Sequence, residues 1–460
     1  MLNTTLSRIF RSKRIYQYVA AITANLGIFC SELHYGWSSP TIPILTSGNY
    51  TFTITSEEAS WLVVIPLLGA IVGGLLGAAL LDIIGRRKLI YSTALPFIAS
   101  WLLIAFAKSS IPMFIGRFIS GVLDGLSFTA VPIYVAEISD PGLRGLLGSV
   151  VSVVAVLAIL VANILGFYLP LVTSAFVSTS IPILFLLTFP WMPESPYFYL
   201  MKNDTNAARD SLKAFKGVDD VEEELQRMAT AVREDMENKG RVQDLVTVKS
   251  NRQALVLAVG LRAIQQLSGI YATIFYCKTV FEESKDFLSA EVATIIYFAL
   301  QLALSFVASF TVDSFGRRPL LLVSTAGTAT ALFLNGTYLY VKQRTDIDMG
   351  DISWFPVFIL MAYMVFYSIG LEIVPLVVAS EIFPVNVRSY ALCATDISYS
   401  VVVTCVSQFF HWTNESYGMF VPFYGFTVCC LFGIVFIAVL VPETKGKTLE
   451  DIQDQFRKSQ

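Results

Sequence analysis

Apolar residues run along this chain in blocks of about twenty, separated by short polar loops. A helix rises about 1.5 Å per residue, so about twenty apolar residues cross the hydrocarbon of a bilayer. Such blocks begin near Ile15, Ser60, Leu89, Pro112, Leu146, Pro170, Arg252, Ala290, Leu320, Trp354, Ser389 and Gly418. They predict an all-α membrane protein of twelve transmembrane helices. One segment departs from the pattern. Between Pro193 and Ser250 the chain turns polar, and "DTNAARDSLKAF" and "DVEEELQRMATAV" place apolar residues at helical spacing between charged faces. Short amphipathic helices on a membrane face fit this stretch, which parts six spans from six. The predicted division is an amino-terminal segment over 1–14, a six-helix bundle over 15–190, a linker over 191–251, a second six-helix bundle over 252–441 and a tail over 442–460.

Composition agrees: 55% of the 460 residues are hydrophobic and 15% charged. A net charge of -3 argues against a polyanionic partner such as nucleic acid. Cys30, Cys277, Cys393, Cys405, Cys429 and Cys430 lie within apolar runs, without metal-ligand spacing, and read as small hydrophobes. Arg8, Arg11, Lys13 and Arg14 precede the first run, which lacks a small-residue cleavage site and is expected to be retained. The basic amino terminus, Arg86-Arg87-Lys88, Arg144, the segment from Lys202 to Arg252, Arg317-Arg318, Arg388 and Lys445 all fall on one side, predicted to be cytoplasmic together with both termini. The opposite loop from Ser38 to Ser56 has no Lys or Arg and carries a glycosylation sequon at Asn49. Lys342 and Arg344 run against the trend.

Three motifs occur twice, in the same order. Asp82 with Gly85-Arg86-Arg87 returns as Asp313 with Gly316-Arg317-Arg318; Glu137 and Arg144 return as Glu381 and Arg388; "PESP" at Pro193 returns as "PETKG" at Pro442. A single Gly-Arg-Arg could merely anchor a span by its positive charge. Three ordered pairs point instead to two related six-helix units, an arrangement in which a substrate site lies between the halves near the midplane. The acids and arginines can form charge-assisted hydrogen bonds between helices, latches whose breaking would accompany opening between halves.

With "GRFISG" at Gly116, "PIYVAEISDPGLRG" at Pro132 and "QQLSGI" at Gln265, these motifs resemble the sugar porter family of the major facilitator superfamily over essentially the whole chain. "GWSSP" at Gly36, "EEASWL" at Glu57 and "ESPYFYLMKN" at Glu194 are most similar to the insect facilitated trehalose transporter-like branch. The resemblance implies alternating access, hexose, disaccharide or polyol substrates, no bound cofactor and a monomeric transport unit in the bilayer. It makes Gln265 and Gln266 sugar ligands and puts Gln301 where the family has an amide. Tyr271, Tyr276, Tyr363 and Phe366 are aromatic candidates, each equally open to ordinary packing. The chain also departs from the family: Tyr271 stands where Asn is usual, Ser152 replaces a Gln, Glu372, Ile373 and Leu376 replace a Gly-Pro and a Trp, and Tyr399-Ser400 replaces Asn-Trp.

Charge falls inside the spans instead, at Glu32, His34, Arg117, Asp124, Arg262, Glu372 and Asp396. Ionisable groups in a membrane are costly enough to signal function. Arg262, one turn before Gln265, is expected to pair with Glu372 across the cavity. Glu32 and His34, with Arg117 and Asp124, are candidates for proton coupling, since proton-coupled members of the family work a first-span acid against the fourth-span arginine. "KGKT" at Lys445 lacks the first glycine of a phosphate loop, and no HExxH occurs, so an enzyme is not expected. The expectation is a facilitative sugar carrier of the plasma membrane, with trehalose or a hexose leading. A proton-coupled symporter and a non-transporting sugar sensor are the alternatives.

Overall fold

The computed structural model describes residues 15–443 apart from 49, 141, 238–239 and 285–286, and leaves out the side chains of 235, 308–315, 380, 385, 386 and 389. Every regular element among the described residues is a helix. The first half comprises α1 (Ile15–Gly36), α2 (Ser38–Thr46), α3 (Ser56–Ile84), α4 (Arg86–Ser92), α5 (Ala94–Ala105), α6 (Ser110–Ile138), α7 (Arg144–Tyr168) and α8 (Leu171–Thr188). Four short helices follow: α9 (Pro196–Met201), α10 (Thr205–Lys216), α11 (Glu222–Glu237) and α12 (Asp244–Thr247). The second half comprises α13 (Lys249–Leu267), α14 (Ile270–Phe275), α15 (Cys277–Glu282), α16 (Ala290–Phe315), α17 (Arg317–Arg344), α18 (Phe355–Ile369), α19 (Val374–Ile382), α20 (Val385–Tyr417) and α21 (Phe420–Leu440).

Eleven helices or helix pairs are long and apolar enough to cross a membrane, with α4–α5, α13–α14 and α18–α19 each counting once. The twelfth predicted span, α1, has the length but not the hydropathy: Gln17, Asn25, Ser31, Glu32 and His34 are all buried in it. It packs against α6, α7 and α8, and a helix sheathed by protein can carry polar groups that lipid would not tolerate. Several spans begin up to four residues before their apolar run, because the opening turn is polar, as at Ser56-Glu57-Glu58, Arg86-Arg87-Lys88 and Arg317-Arg318. Thr55 and Glu58 form a reciprocal capping box at the start of α3. Gly73 on α3 and Gly121 on α6 lie where an added Cβ would strike the facing backbone, so these helices meet at the closest distance that small residues permit.

The polar segment folds as its periodicity predicts. Ala208, Ser211, Leu212 and Phe215 form the buried face of α10, with Asp204 capping its start and Gly217 its end. Phe215 enters the core of the first half, and Lys216 bridges Asp140, at 2.8 Å, and Glu224. Burial alone would lower the Lys216 ammonium; its bonds to Asp140 and Glu224 outweigh that and hold it above the usual lysine value.

The two halves are joined at one end. The core cluster containing Leu33, Trp37, Leu45, Trp101 and Ala162 of the first half continues without a break into Phe275, Phe281, Tyr297 and Phe410 of the second. A separate cluster at the Gly-Arg-Arg end holds only first-half and linker residues, among them Leu81, Ile90, Val135 and Phe215. At the joined end the Lys278 backbone N–H donates to Ser39 Oγ at 3.2 Å, and Lys278 Nζ stands 5.8 Å from the centroid of the Phe167 ring. Ser56 also donates to Glu415 across the halves.

Candidate functional site: the Gly-Arg-Arg rim and the cleft between the halves

At the Gly-Arg-Arg end the first and third repeated motifs form one device, built twice. Gly85 turns the chain at φ 101° and Gly316 at φ 87°, a region open to glycine but strained for other residues. Each turn starts a new helix whose first N–H groups lack helical partners. Glu194 of "PESP" accepts the Arg87 N–H at 2.9 Å, and Glu443 of "PETKG" accepts the N–H groups of Arg317 and Arg318 at 3.0 and 3.1 Å. A carboxylate there also complements the positive end of the helix dipole.

The second repeated motif enters through its acid. Arg86 reaches Asp82 at 3.2 Å and Glu137 at 3.0 Å, while Ser195 donates to Glu137. Arg317 reaches Glu381 at 2.9 Å in the other half. These ion pairs clasp neighbouring helices within each half. The expectation of clasps between halves is not met in this conformation, because the halves touch at the other end. Arg144 is exposed and makes no ion pair among the described residues, and Arg388 donates to the Phe383 carbonyl at 3.2 Å in its own half. The Asp313 side chain and Asn49 lie outside the described residues.

In the cleft the structure corrects one pairing. Arg262 pairs with Asp396 of α20, at 3.2 Å, rather than with Glu372. Its guanidinium also donates to Gln265 Oε1 at 2.8 Å and lies 4.4 Å from the centroid of the Tyr399 ring. Glu372 instead accepts from Ser305 Oγ at 2.9 Å. Gln265 is occupied on every side: its Nε2 donates to the carbonyls of Leu371 and Glu372 at 2.7 and 2.9 Å, and its Oε1 takes Arg262 and the Gln266 amide. Those carbonyls are available because the tenth span breaks between Gly370 and Val374. Gln265 therefore holds a broken helix in place. Gln266 Oε1 and Gln301 Oε1 are buried without hydrogen-bond partners.

Aromatic rings continue the cleft into the first half. Tyr271 meets Tyr399 edge-on at 5.7 Å and Tyr35 at 6.3 Å, and Tyr35 OH donates to Asp124 Oδ2 at 3.0 Å. Ser31 donates to the other oxygen of Asp124. Two aromatic candidates are packing residues here: Tyr276 stacks on Phe410 at 5.1 Å, and Tyr363 OH donates to the Ser268 carbonyl at 3.1 Å. Phe366 packs against Gly327.

Arg117 is fully buried yet meets no acid. It donates to the carbonyls of Leu62 at 3.1 Å, His34 and Val63 at 3.3 Å, and to Ser38 Oγ at 2.8 Å, beside the Trp37 ring at 5.1 Å. His34 stacks on Trp101 at 3.9 Å, with Nε2 3.0 Å from Ser100 Oγ. Glu32 is 4% exposed, and its Oε2 has no partner.

Sequence reasoning missed the Arg262–Asp396–Tyr399 contact and the capping role of Glu194 and Glu443. The repeated spacing of the Gly-Arg-Arg and Pro-Glu motifs was the available signal for the caps.

Two halves joined at one end around a buried polar cleft are also what the comparisons return. Residues 19–456 match the family described as sugar (and other) transporter. A facilitated trehalose transporter, Tret1, of Bombyx mori is 33% identical over 440 residues, covering 95% of this chain and 86% of that protein. Tret1 of Drosophila virilis is 34% identical over 95% of this chain and 48% of its own length, so the chain spans about half of that longer relative. Among solved structures, the inward open conformation of the xylose transporter XylE from E. coli superposes with a TM-score of 0.78 at 21% identity, covering 95% of this chain and 99% of that one. The proton:xylose symporter XylE bound to 6-bromo-6-deoxy-D-glucose gives 0.76 at 23% identity over 96% and 99%. The fold is that of the major facilitator superfamily, and the chain belongs to the sugar (and other) transporter family.

Proposed function

We propose that this chain is a facilitative carrier that passes a sugar of the trehalose or hexose class between its two halves by alternating access. The observation that carries the reading is the cleft itself: amides, tyrosines and a charge pair gathered where the halves meet, inside helices that are otherwise apolar. Hydroxyl-rich solutes need matched donors and acceptors in a wet cavity, with ring faces to cover the pyranose. Gln266 and Gln301 have free amide oxygens for this role, and Tyr271 and Tyr399 offer aromatic surface.

The positive-inside pattern assigns the Gly-Arg-Arg end and both termini to the cytoplasm of a plasma-membrane protein. The joined end then faces outward, and the structure corresponds to an inward-facing state. The Asp82, Glu137, Asp313 and Glu381 acids, with Arg86, Arg87, Arg144, Arg317, Arg318 and Arg388, act as cytoplasmic latches whose partners change as the halves close at that rim.

Proton coupling through Glu32 or His34 under control of Arg117 has weaker support. The Arg117 guanidinium is engaged by carbonyl and hydroxyl oxygens and pairs with no acid among the described residues.

Uptake of labelled trehalose, glucose and a polyol into proteoliposomes tests the reading. Saturable flux of trehalose or a hexose, equal across external pH 5 to 8, is expected; binding without flux would instead mark a sensor.

A further inference from the structure

Glu372, at the break in the tenth span, replaces the small residue that the family places there, and its surroundings specify a ligand more narrowly than a neutral sugar. Tyr297, Gln301 and Ser305 stand four residues apart along α16 and share one helix face. Ser305 Oγ donates to Glu372 Oε1 at 2.9 Å, and the side chains of Gln301 and Ser368 also hydrogen-bond this carboxylate. Three oxygens here have no partner: Glu372 Oε2, Gln301 Oε1 and the Tyr297 hydroxyl. Tyr297 is 0% and Gln301 4% exposed. Among the described residues no Lys, Arg or His pairs with Glu372, and the nearby cation Arg262 is taken by Asp396, Gln265 and Tyr399.

An ionised carboxylate at membrane depth is costly unless its charge is met. A proton on Glu372 would meet it but leave the Gln301 and Tyr297 oxygens unsatisfied. A ligand that carries an ammonium beside hydroxyl donors satisfies all three at once. We propose that Glu372 receives the ammonium of a protonated aminosugar, with Gln301 Oε1 and the Tyr297 hydroxyl taking its neighbouring hydroxyls. The proposal rests on the sugar-carrier reading above and narrows its substrate class.

The full chain in proteoliposomes, at about pH 6 where an amine of ordinary basicity is charged, decides it. Glucosamine, N-acetylglucosamine and glucose are compared in wild type, Glu372→Gln and Glu372→Asp, each first checked for a monodisperse elution profile. A charge-assisted bond should give glucosamine a KM about tenfold below that of its neutral N-acetyl counterpart. That ratio should collapse toward one in Glu372→Gln and persist in Glu372→Asp. Equal KM values in wild type, or a ratio untouched by Glu372→Gln, overturns the proposal. If no sugar crosses at all, the carrier reading fails separately, and equilibrium binding of glucosamine to the purified chain still decides: binding weakened by Glu372→Gln upholds the assignment, while binding indifferent to that change, or absent in wild type, overturns it.

Discussion

Glu194 accepts the backbone N–H of Arg87 from 107 residues away, at 2.9 Å, and so closes the start of α4 where Gly85 has just turned the chain. Glu443 does the same for Arg318 at 3.1 Å in the other half. The duplicated Gly-Arg-Arg is thus half of a capped turn whose other half is a duplicated Pro-Glu. The arginines that follow are positioned by that cap toward Asp82 and Glu137 or toward Glu381.

Gly85→Ala should destabilise the protein by about 1 to 3 kcal/mol, the usual cost of a strained backbone region. A Cβ at Gly85 would also fall 2.5 Å from Glu194 Oε2. Gly142, whose added Cβ meets nothing within 4 Å, is the control. Thermal melting in detergent should separate Gly85→Ala from Gly142→Ala by several degrees.

Removing the Glu194 carboxyl tests the same device from its other side. Glu194→Ala leaves the Arg87 N–H without its cap, a loss of about 0.5 to 2 kcal/mol. Faster amide exchange at the start of α4, read by mass spectrometry, should accompany the lower melting temperature. Unchanged exchange there would mean that the cap is not holding the turn.

Arg262 and Asp396 should behave as a unit. Arg262→Ala strands Asp396 in the cleft, and Asp396→Asn leaves Arg262 without its counter-charge. Each single change should cut transport at least tenfold, and the double variant should be no worse than the poorer single. A coupling energy of about 0.5 to 3 kcal/mol is typical of residues in contact. Additive losses would show that the pair does not act together. Glu372→Gln combined with Arg262→Ala, by contrast, should give near-additive effects.

Lys216 ties α10 and α11 to the bundle through Asp140 and Glu224. Its folded pKa is raised, so the stability it adds is complete below the ordinary lysine value and is lost as pH rises through the raised one. Limited proteolysis of the segment between α8 and α13 should therefore be flat through neutral pH and quicken only in strong alkali. Lys216→Met should be cleaved faster at neutral pH and lose the alkaline rise.

Much of this was legible in the sequence because it depends on period and spacing. Twelve apolar blocks, the α10 stripe of Ala208, Leu212 and Phe215, and the order of the repeated motifs are one-dimensional facts. The partner of Arg262 was not legible. Asp396 is 134 residues away, and whether it or Glu372 meets the guanidinium is set by how α13, α19 and α20 pack. Gln265 was read as a free sugar ligand, yet a broken helix exposes carbonyls that need donors at membrane depth, and its amide supplies them. Gly370 and Pro375 mark that break in the sequence. First-span polarity misleads in the opposite way, because hydropathy cannot tell lipid-facing helices from those sheathed by neighbours.

The central claim is that the halves are fastened at one end at a time and exchange ends around the bound sugar. Spin-label distances in the full chain test it most directly, with one pair at Gly142 and Val439 on the Gly-Arg-Arg rim and another at Thr46 and Ile347 on the joined end. Adding a transported sugar should populate a second state in which the rim distance shortens as the other lengthens. Distances that stay single and fixed at both ends while the sugar is carried would contradict the account.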